Sequence, residues 1–194
     1  MNSVRLMQNS VRGGVDEDLY ESGNRSDCLC CFTELVTPYT LNKQSVNSKL
    51  FIDSIYSQIA ALAAFKKLTI DFKTHNLPES FDADSDLLQR AVLNIASNAI
   101  DYSPENAKID FNVETIEDNI YFCIVDCGKG FSPDALKNAA QQFYMADKSR
   151  TSKAHYGMGL FIAKSIAEQH NGTLIITNSA ISGGGQVTIE IPIR

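Results

Sequence analysis

Apolar residues recur at helical spacing through Leu88, Ala91, Val92, Ile95, Ala96, Ala99 and Ile100, which predicts a helix over Leu87–Pro104 with one buried face. Asp84 or Ser85 is placed to cap it, and Ser103-Pro104 stops it, since proline disfavours helical geometry in the residue before it. Upstream, Leu50, Phe51, Ile55, Ile59, Leu62 and Ala63 mark the buried face of a helix from Ser48, its expected cap, to about Lys67. Lys67–Lys73 alternates with Leu68, Ile70 and Phe72 inward, the period of a half-buried strand, and His75–Pro78 reads as a loop. Lys108–Thr115 and Ile120–Asp126 form a strand pair around a turn at Glu117–Asn119. Residues 132–142 suit a short helix with Pro133 in its first turn, and Met158–His170 a longer one ended by Asn171-Gly172. Leu174–Asn178 and Gln186–Ile193 are closing strands joined through Gly183–Gly185. This order predicts an α/β (α+β) two-layer sandwich, a mixed five-stranded sheet with three helices on one face.

Two stretches have no such period. Residues 1–47 break at Gly13-Gly14 and run through the acidic, polar Asp16–Asp27, so they are expected to be a partly disordered linker ahead of a domain at 48–194. Phe143–Tyr156 is polar and long, and a loop of that length inside a compact domain is usually functional or disordered.

Composition narrows the field. A net charge of −6 and a pI near 5.0 exclude a general nucleic-acid surface, which needs clustered positive charge. No apolar run approaches the roughly 18 residues that span a bilayer, and the first residues have no apolar signal-peptide core. The five cysteines are an odd count, and Cys28, Cys30 and Cys31 crowd too closely for a disulfide framework. Reduced thiols in a cytoplasmic setting are expected; a Cys-x-Cys-Cys metal site lacks a second matching pair at zinc-ligand spacing.

The candidate chemistry lies in three places. Asn94 and Asn98, four residues apart, stack on a polar stripe of the Leu87–Pro104 helix, although asparagine is a poor helix former. Asp126-Cys127-Gly128-Lys129-Gly130-Phe131 follows a strand, and Gly157-Met158-Gly159-Leu160 opens a helix. Each has a plain alternative: a solvated stripe, a turn aspartate, a weak helix start. A helix N-terminus with free N–H groups also suits an anion, and glycines let a backbone approach a ligand closely.

Together, in this order, the three motifs resemble the N, G1 and G2 boxes of the gyrase, Hsp90, histidine-kinase and MutL ATPases, and best the ATP-binding (catalytic) domain of bacterial sensor histidine kinases. The resemblance covers roughly Ser48 to Arg194. It implies ATP and Mg²⁺ as cofactors, with Asp126 accepting a hydrogen bond from the adenine amine and Gly128, Gly130 and Phe131 forming the loop beside it. It implies Asn98 as the metal ligand and Asn94 at the position where gyrase-like relatives hold a glutamate as the base for water attack. An amide cannot act as such a base, which favours phosphoryl transfer over rapid hydrolysis. Tyr102 matches a ring lying against the adenine or a lid, Lys148 and Arg150 resemble lid residues over the phosphates, and Gly157, Met158, Gly159 and Leu160 form the second glycine loop. The chain departs from the family pattern at His155 for the first glycine of that loop, Asp101 for a basic residue, and Ala140 for an aromatic.

None of the three histidines suits a phosphoacceptor: His75 lies in a proline-bounded loop rather than on a helix face, His155 in the lid, and His170 at a helix end where it is compatible with the dipole. The resemblance thus implies a fragment whose substrate histidine lies on an upstream dimerisation domain, within a homodimeric protein that allows a membrane anchor further upstream and signals to a response regulator. An anti-sigma-type serine kinase of the same fold and a nucleotide-gated binding module are the competing readings.

Overall fold

The structure, a computed structural model, describes residues 41–141 and 158–194. The elements run β1 (Gln44–Asn47), α1 (Ser48–Phe65), β2 (Thr69–His75), β3 (Ser80–Ala83), α2 (Ser85–Tyr102), β4 (Lys108–Ile116), β5 (Asn119–Val125), α3 (Pro133–Asn138), α4 (Gly159–Gln169), β6 (Thr173–Asn178) and β7 (Gly185–Pro192). Five strands form one sheet in the order β2-β4-β5-β7-β6. Only β2 and β4 are parallel, and α2 lies in the crossover such a pair requires. The mixed five-stranded sheet is therefore as expected.

Alternation along the strands fills one face. Ile109, Phe111 and Val113 of β4, Ile120, Phe122 and Ile124 of β5, and Val187, Ile189 and Ile191 of β7 are all buried. Register aligns them in rows, with Phe111 opposite Ile124 and Ile124 opposite Val187. Helices α1, α2 and α4 cover this face, α2 packing against both α1 and α4. Phe51 of α1 meets Phe81 and Phe122 edge-on at 5.7 and 6.3 Å, and Phe72 is stacked between Tyr56 and Phe111.

Local details differ from the pattern in the sequence. Leu50 and Leu62 are 70% and 45% exposed; the buried stripe of α1 is Phe51, Ile52, Ile55, Ile59 and Ala63, centred slightly to one side of them. Asn47, not Ser48, caps that helix, its Oδ1 accepting the Leu50 N–H at 3.0 Å while Ser48 is buried. Lys67 has φ +57° and belongs to a turn rather than to the strand that follows. Two strands escaped notice: β1 and β3 pair with each other as a separate antiparallel ribbon. Each has four residues, too few for a period to register, and their partners are far apart in sequence. Folded structure thus begins ahead of the boundary expected at Ser48; most of 1–47 lies outside the described residues.

His170 is the largest departure. More than a dipole-compatible cap, its ring is wholly buried, with Nδ1 2.8 Å from the Ile166 carbonyl and Nε2 accepting the Asp84 N–H at 3.0 Å. This pattern needs a neutral ring protonated on Nδ1. It ties the end of α4 to the cap of α2, where Asp84 Oδ1 accepts the Leu87 N–H. Burial holds the imidazole pKa below its usual value. The unfolded chain therefore binds this proton more readily, so stability from His170 is present above about pH 6.5 and lost as pH falls toward the depressed value. Urea midpoints should fall between pH 7.5 and 5 in the wild type. His170→Leu should be less stable at pH 7.5, by about 1–3 kcal/mol for the orphaned Asp84 N–H, and should show a smaller pH slope. An equal slope in both proteins would contradict the buried neutral ring.

Candidate functional site

Helix α2 carries the site on the stripe its core face leaves over. Its apolar side is buried from Leu88 to Ile100, while Asn94 and Asn98 sit half-buried one turn apart. The Asn94 Nδ2 is enclosed with no hydrogen-bond partner among the described residues. At the far end Tyr102 is 50% exposed, so its ring is not core filling. The carbonyls of Ile100 and Asp101 there accept from the Lys66 ammonium at 2.8 Å each, a cation at the negative end of the helix. Ser103 follows in extended geometry, buried, and its Oγ accepts the Cys127 N–H at 3.3 Å.

That bond joins α2 to the loop leaving β5. Asp126 is 8% exposed, and its Oδ1 accepts two backbone amides, Gly128 at 2.7 Å and Gly185 at 2.9 Å. Burial raises the Asp126 pKa, and those two amides pull it back down. Neither bond uses Oδ2. A Cβ on Gly128 would stand 2.8 Å from the Tyr102 carbonyl, so the loop can lie against the helix end only without one. Gly130 has φ +71°, and Phe131 beyond it is gripped by the Asn178 carboxamide, which accepts its N–H at 2.7 Å and donates to its carbonyl at 2.9 Å. Behind Asp126, side chains at Gly184 or Gly185 would overlap its carbonyl or its carboxylate.

The N-terminus of α4 completes the group. Met158 provides no side-chain cap bond, and Gly159 faces α2, where a Cβ would sit 3.8 Å from Asn98 Nδ2 and 3.9 Å from Asn94 Cβ. Those are ordinary contacts, so packing among the described residues does not demand glycine here. Leu160 turns into the core. Asn94, Asn98, Tyr102, Asp126, Gly128 and Gly159 are thus gathered along one helix stripe and its end, whereas Lys148, Arg150, His155 and Gly157 lie outside the described residues.

Residues 83–194 match the family described as histidine kinase-, DNA gyrase B- and HSP90-like ATPase, more than half of the chain. The chain belongs to this ATPase family. Among curated relatives, the sensor histidine kinase SpaK of Bacillus subtilis is 42% identical over 162 residues, 84% of this chain and 35% of that protein. The nisin biosynthesis sensor protein NisK of Lactococcus lactis subsp. lactis is 30% identical over 164 residues, 84% of this chain and 36% of that protein. The chain thus spans about a third of the length of these relatives. Full-length ShkA, solved in complex with AMPPNP, superposes with a TM-score of 0.72 at 22% identity, over 84% of this chain and 34% of that one. The catalytic domain of the histidine kinase ThkA, solved free of nucleotide, gives 0.67 at 20% identity over 80% of this chain and 97% of that one. Both show the same fold.

Within this ATPase fold, several residues that build the site were not apparent from sequence. Gly184 and Gly185 read there as a plain connection, yet they back Asp126. Asn178 read as the end of a strand, and Lys66 as the end of the helix from Ser48. The triple glycine was the one available signal, since a two-strand connection does not need three in a row.

Two variants separate fit from charge. Gly185→Ala sets a methyl 2.6 Å from Asp126 Oδ2 and 2.7 Å from the Phe131 ring, so it should lose about 1–3 kcal/mol in urea unfolding. Asp126→Asn keeps an acceptor for both amides and removes the charge that burial disfavours. It should therefore unfold at equal or higher urea than the wild type at pH 7, the wild type losing this contribution as pH rises above about 4. A strongly destabilised Asp126→Asn would mean the carboxylate serves the fold rather than a ligand.

Proposed function

We propose that this domain binds Mg-ATP along the α2 stripe and that, in the full-length protein, it passes the γ-phosphoryl group to a histidine of an upstream dimerisation domain. The observation that carries the reading is Gly159: its surroundings would accept a Cβ, yet the chain keeps glycine at a helix start facing two amides. A phosphate against the first-turn N–H groups of α4 explains what packing does not.

The remaining roles follow from donor and acceptor types. Asp126 Oδ2 accepts from the adenine amine, with Oδ1 already committed to the two glycine amides. Gly128, Gly130 and Phe131 shape the loop along the base, and the half-exposed ring of Tyr102 lies against it. Lys148, Arg150, Gly157 and Met158 complete the phosphate side.

Among the described residues no group of three or more His, Cys, Asp or Glu could hold a metal. A single amide oxygen from Asn98 still suits Mg²⁺, which keeps several waters and takes its other ligands from the phosphates. When bound, the ion would supply charge neutralisation to the phosphates of the nucleotide. Asn94 cannot take a proton from water, so the bound nucleotide is held for transfer rather than hydrolysed rapidly.

Similarity to the sensor histidine kinase SpaK supports histidine as the acceptor; a response regulator downstream belongs to the same reading. In this reading residues 1–47 are chiefly the connection to the dimerisation helices of a homodimer. The domain works on the cytoplasmic side of a membrane-anchored sensor; among the described residues no helix is long and apolar enough to cross a membrane.

Calorimetric titration with ADP and AMPPNP, with and without Mg²⁺, tests this. Asp126→Asn should weaken ADP about 10- to 100-fold, the loss of a hydrogen bond to a charged group. Asn98→Ala should abolish the gain from Mg²⁺. Gly159→Ala should weaken AMPPNP at least about tenfold while the urea midpoint stays level or rises, since alanine is the better helix former. Wild-type affinity in Asp126→Asn would move the base elsewhere, and retained Mg²⁺ dependence in Asn98→Ala would move the metal.

A further inference from the structure

Asn178 ends the edge strand β6, where its Cα is paired with that of Gly185. Its carboxamide leaves the sheet and meets the peptide of Phe131, 47 residues earlier, accepting the N–H at 2.7 Å and donating to the C=O at 2.9 Å. A primary amide that gives and takes at one residue reproduces what a neighbouring strand would offer. Phe131 belongs to no strand, so this side chain stands in for one.

The contact fixes more than Phe131. Gly130 has φ +71°, and a Cβ there would meet the Gly183 carbonyl at 2.5 Å and Asn178 Oδ1 at 2.8 Å, so the loop passes directly over the amide. The start of the loop is held from the same turn, because Gly185 N–H donates to Asp126 Oδ1. The turn is stiffened by its own bonds: Ser179 N–H to the Gly184 carbonyl at 2.8 Å and Gly183 N–H to the Ser179 carbonyl at 2.9 Å. One rigid turn therefore clamps both ends of Asp126–Phe131.

We propose that Asn178 is a positioning residue for the nucleotide site: by pairing with the Phe131 peptide it sets the path of Gly128–Gly130 and hence the aim of Asp126 at the adenine edge. It touches no nucleotide atom itself. The inference rests on the nucleotide reading above. With the Phe131 end released, Asp126 stays tied to Gly185 but Gly128–Gly130 can move away from its carboxylate and from the base, so both affinity and discrimination against a base with a carbonyl where adenine has its amine decline.

The test uses the full chain and its Asn178→Ala and Asn178→Asp variants, titrated with ADP and with GDP. Asn178→Ala should bind ADP about tenfold more weakly at unchanged stoichiometry, with a narrower preference over GDP. Amide hydrogen exchange should show Phe131 losing protection in Asn178→Ala and keeping it in Asn178→Asp, which retains the acceptor. A side chain that only stabilised the fold would lower the binding-competent fraction and leave the dissociation constant and base preference alone; that outcome overturns the proposal. Unchanged ADP affinity in Asn178→Ala, beside a wild type that binds, overturns it too. A wild-type chain that binds no ADP overturns the nucleotide reading, and this inference with it.

Discussion

One oxygen of one buried carboxylate holds the site together. Asp126 Oδ1 accepts two glycine amides, one from the loop following β5 and one from the first residue of β7. Without it, two glycine-rich segments with little side-chain packing would have few reasons to stay in place, because glycine loses the most conformational freedom on folding. The arrangement places a charge where burial disfavours it and leaves the second oxygen uncommitted to either amide. A protein selected for stability alone has no need of that; the proposed recognition of an adenine amine does.

The second constraint is the double use of α2. Its apolar side is among the most buried surfaces of the molecule, lying between α1 and α4 over the sheet, so the helix cannot tilt or slide without disturbing three elements. This rigidity passes to the stripe that carries Asn94 and Asn98. Both ends are pinned, by the Asp84 cap with the buried His170 at one end and by Lys66 on the last carbonyls at the other. The group facing the stripe, Gly159, makes only ordinary contacts among the described residues.

Much of the fold was legible because its helices and main strands have strong periods. The seven apolar positions of α2 are buried as the spacing predicts, and Ile120, Phe122 and Ile124 alternate as a half-buried strand must. The ribbon of β1 and β3 was not legible, since four-residue strands give no period and register with a distant partner leaves no local trace. Leu50 and Leu62 misled because apolar residues beside a buried stripe look the same in sequence as those within it. For the site, motif order located Asn98, Asp126 and Gly159 on the elements where they are found. It missed Asn178, Lys66 and the buried role of His170, whose function lies in contacts over 47, 34 and 86 residues of chain. An asparagine at a strand end looks alike whether it faces water or clamps a loop.

The proposed nucleotide site joins α2, the Asp126 loop and the start of α4. A two-dimensional NMR titration of the isotopically labelled chain with ADP and Mg²⁺ tests it most directly. The backbone amides of Gly128, Gly130 and Gly159 and the side-chain amides of Asn94 and Asn98 should shift together along a single binding curve. Shifts confined to residues elsewhere, or a spectrum unchanged at saturating ADP, would contradict it.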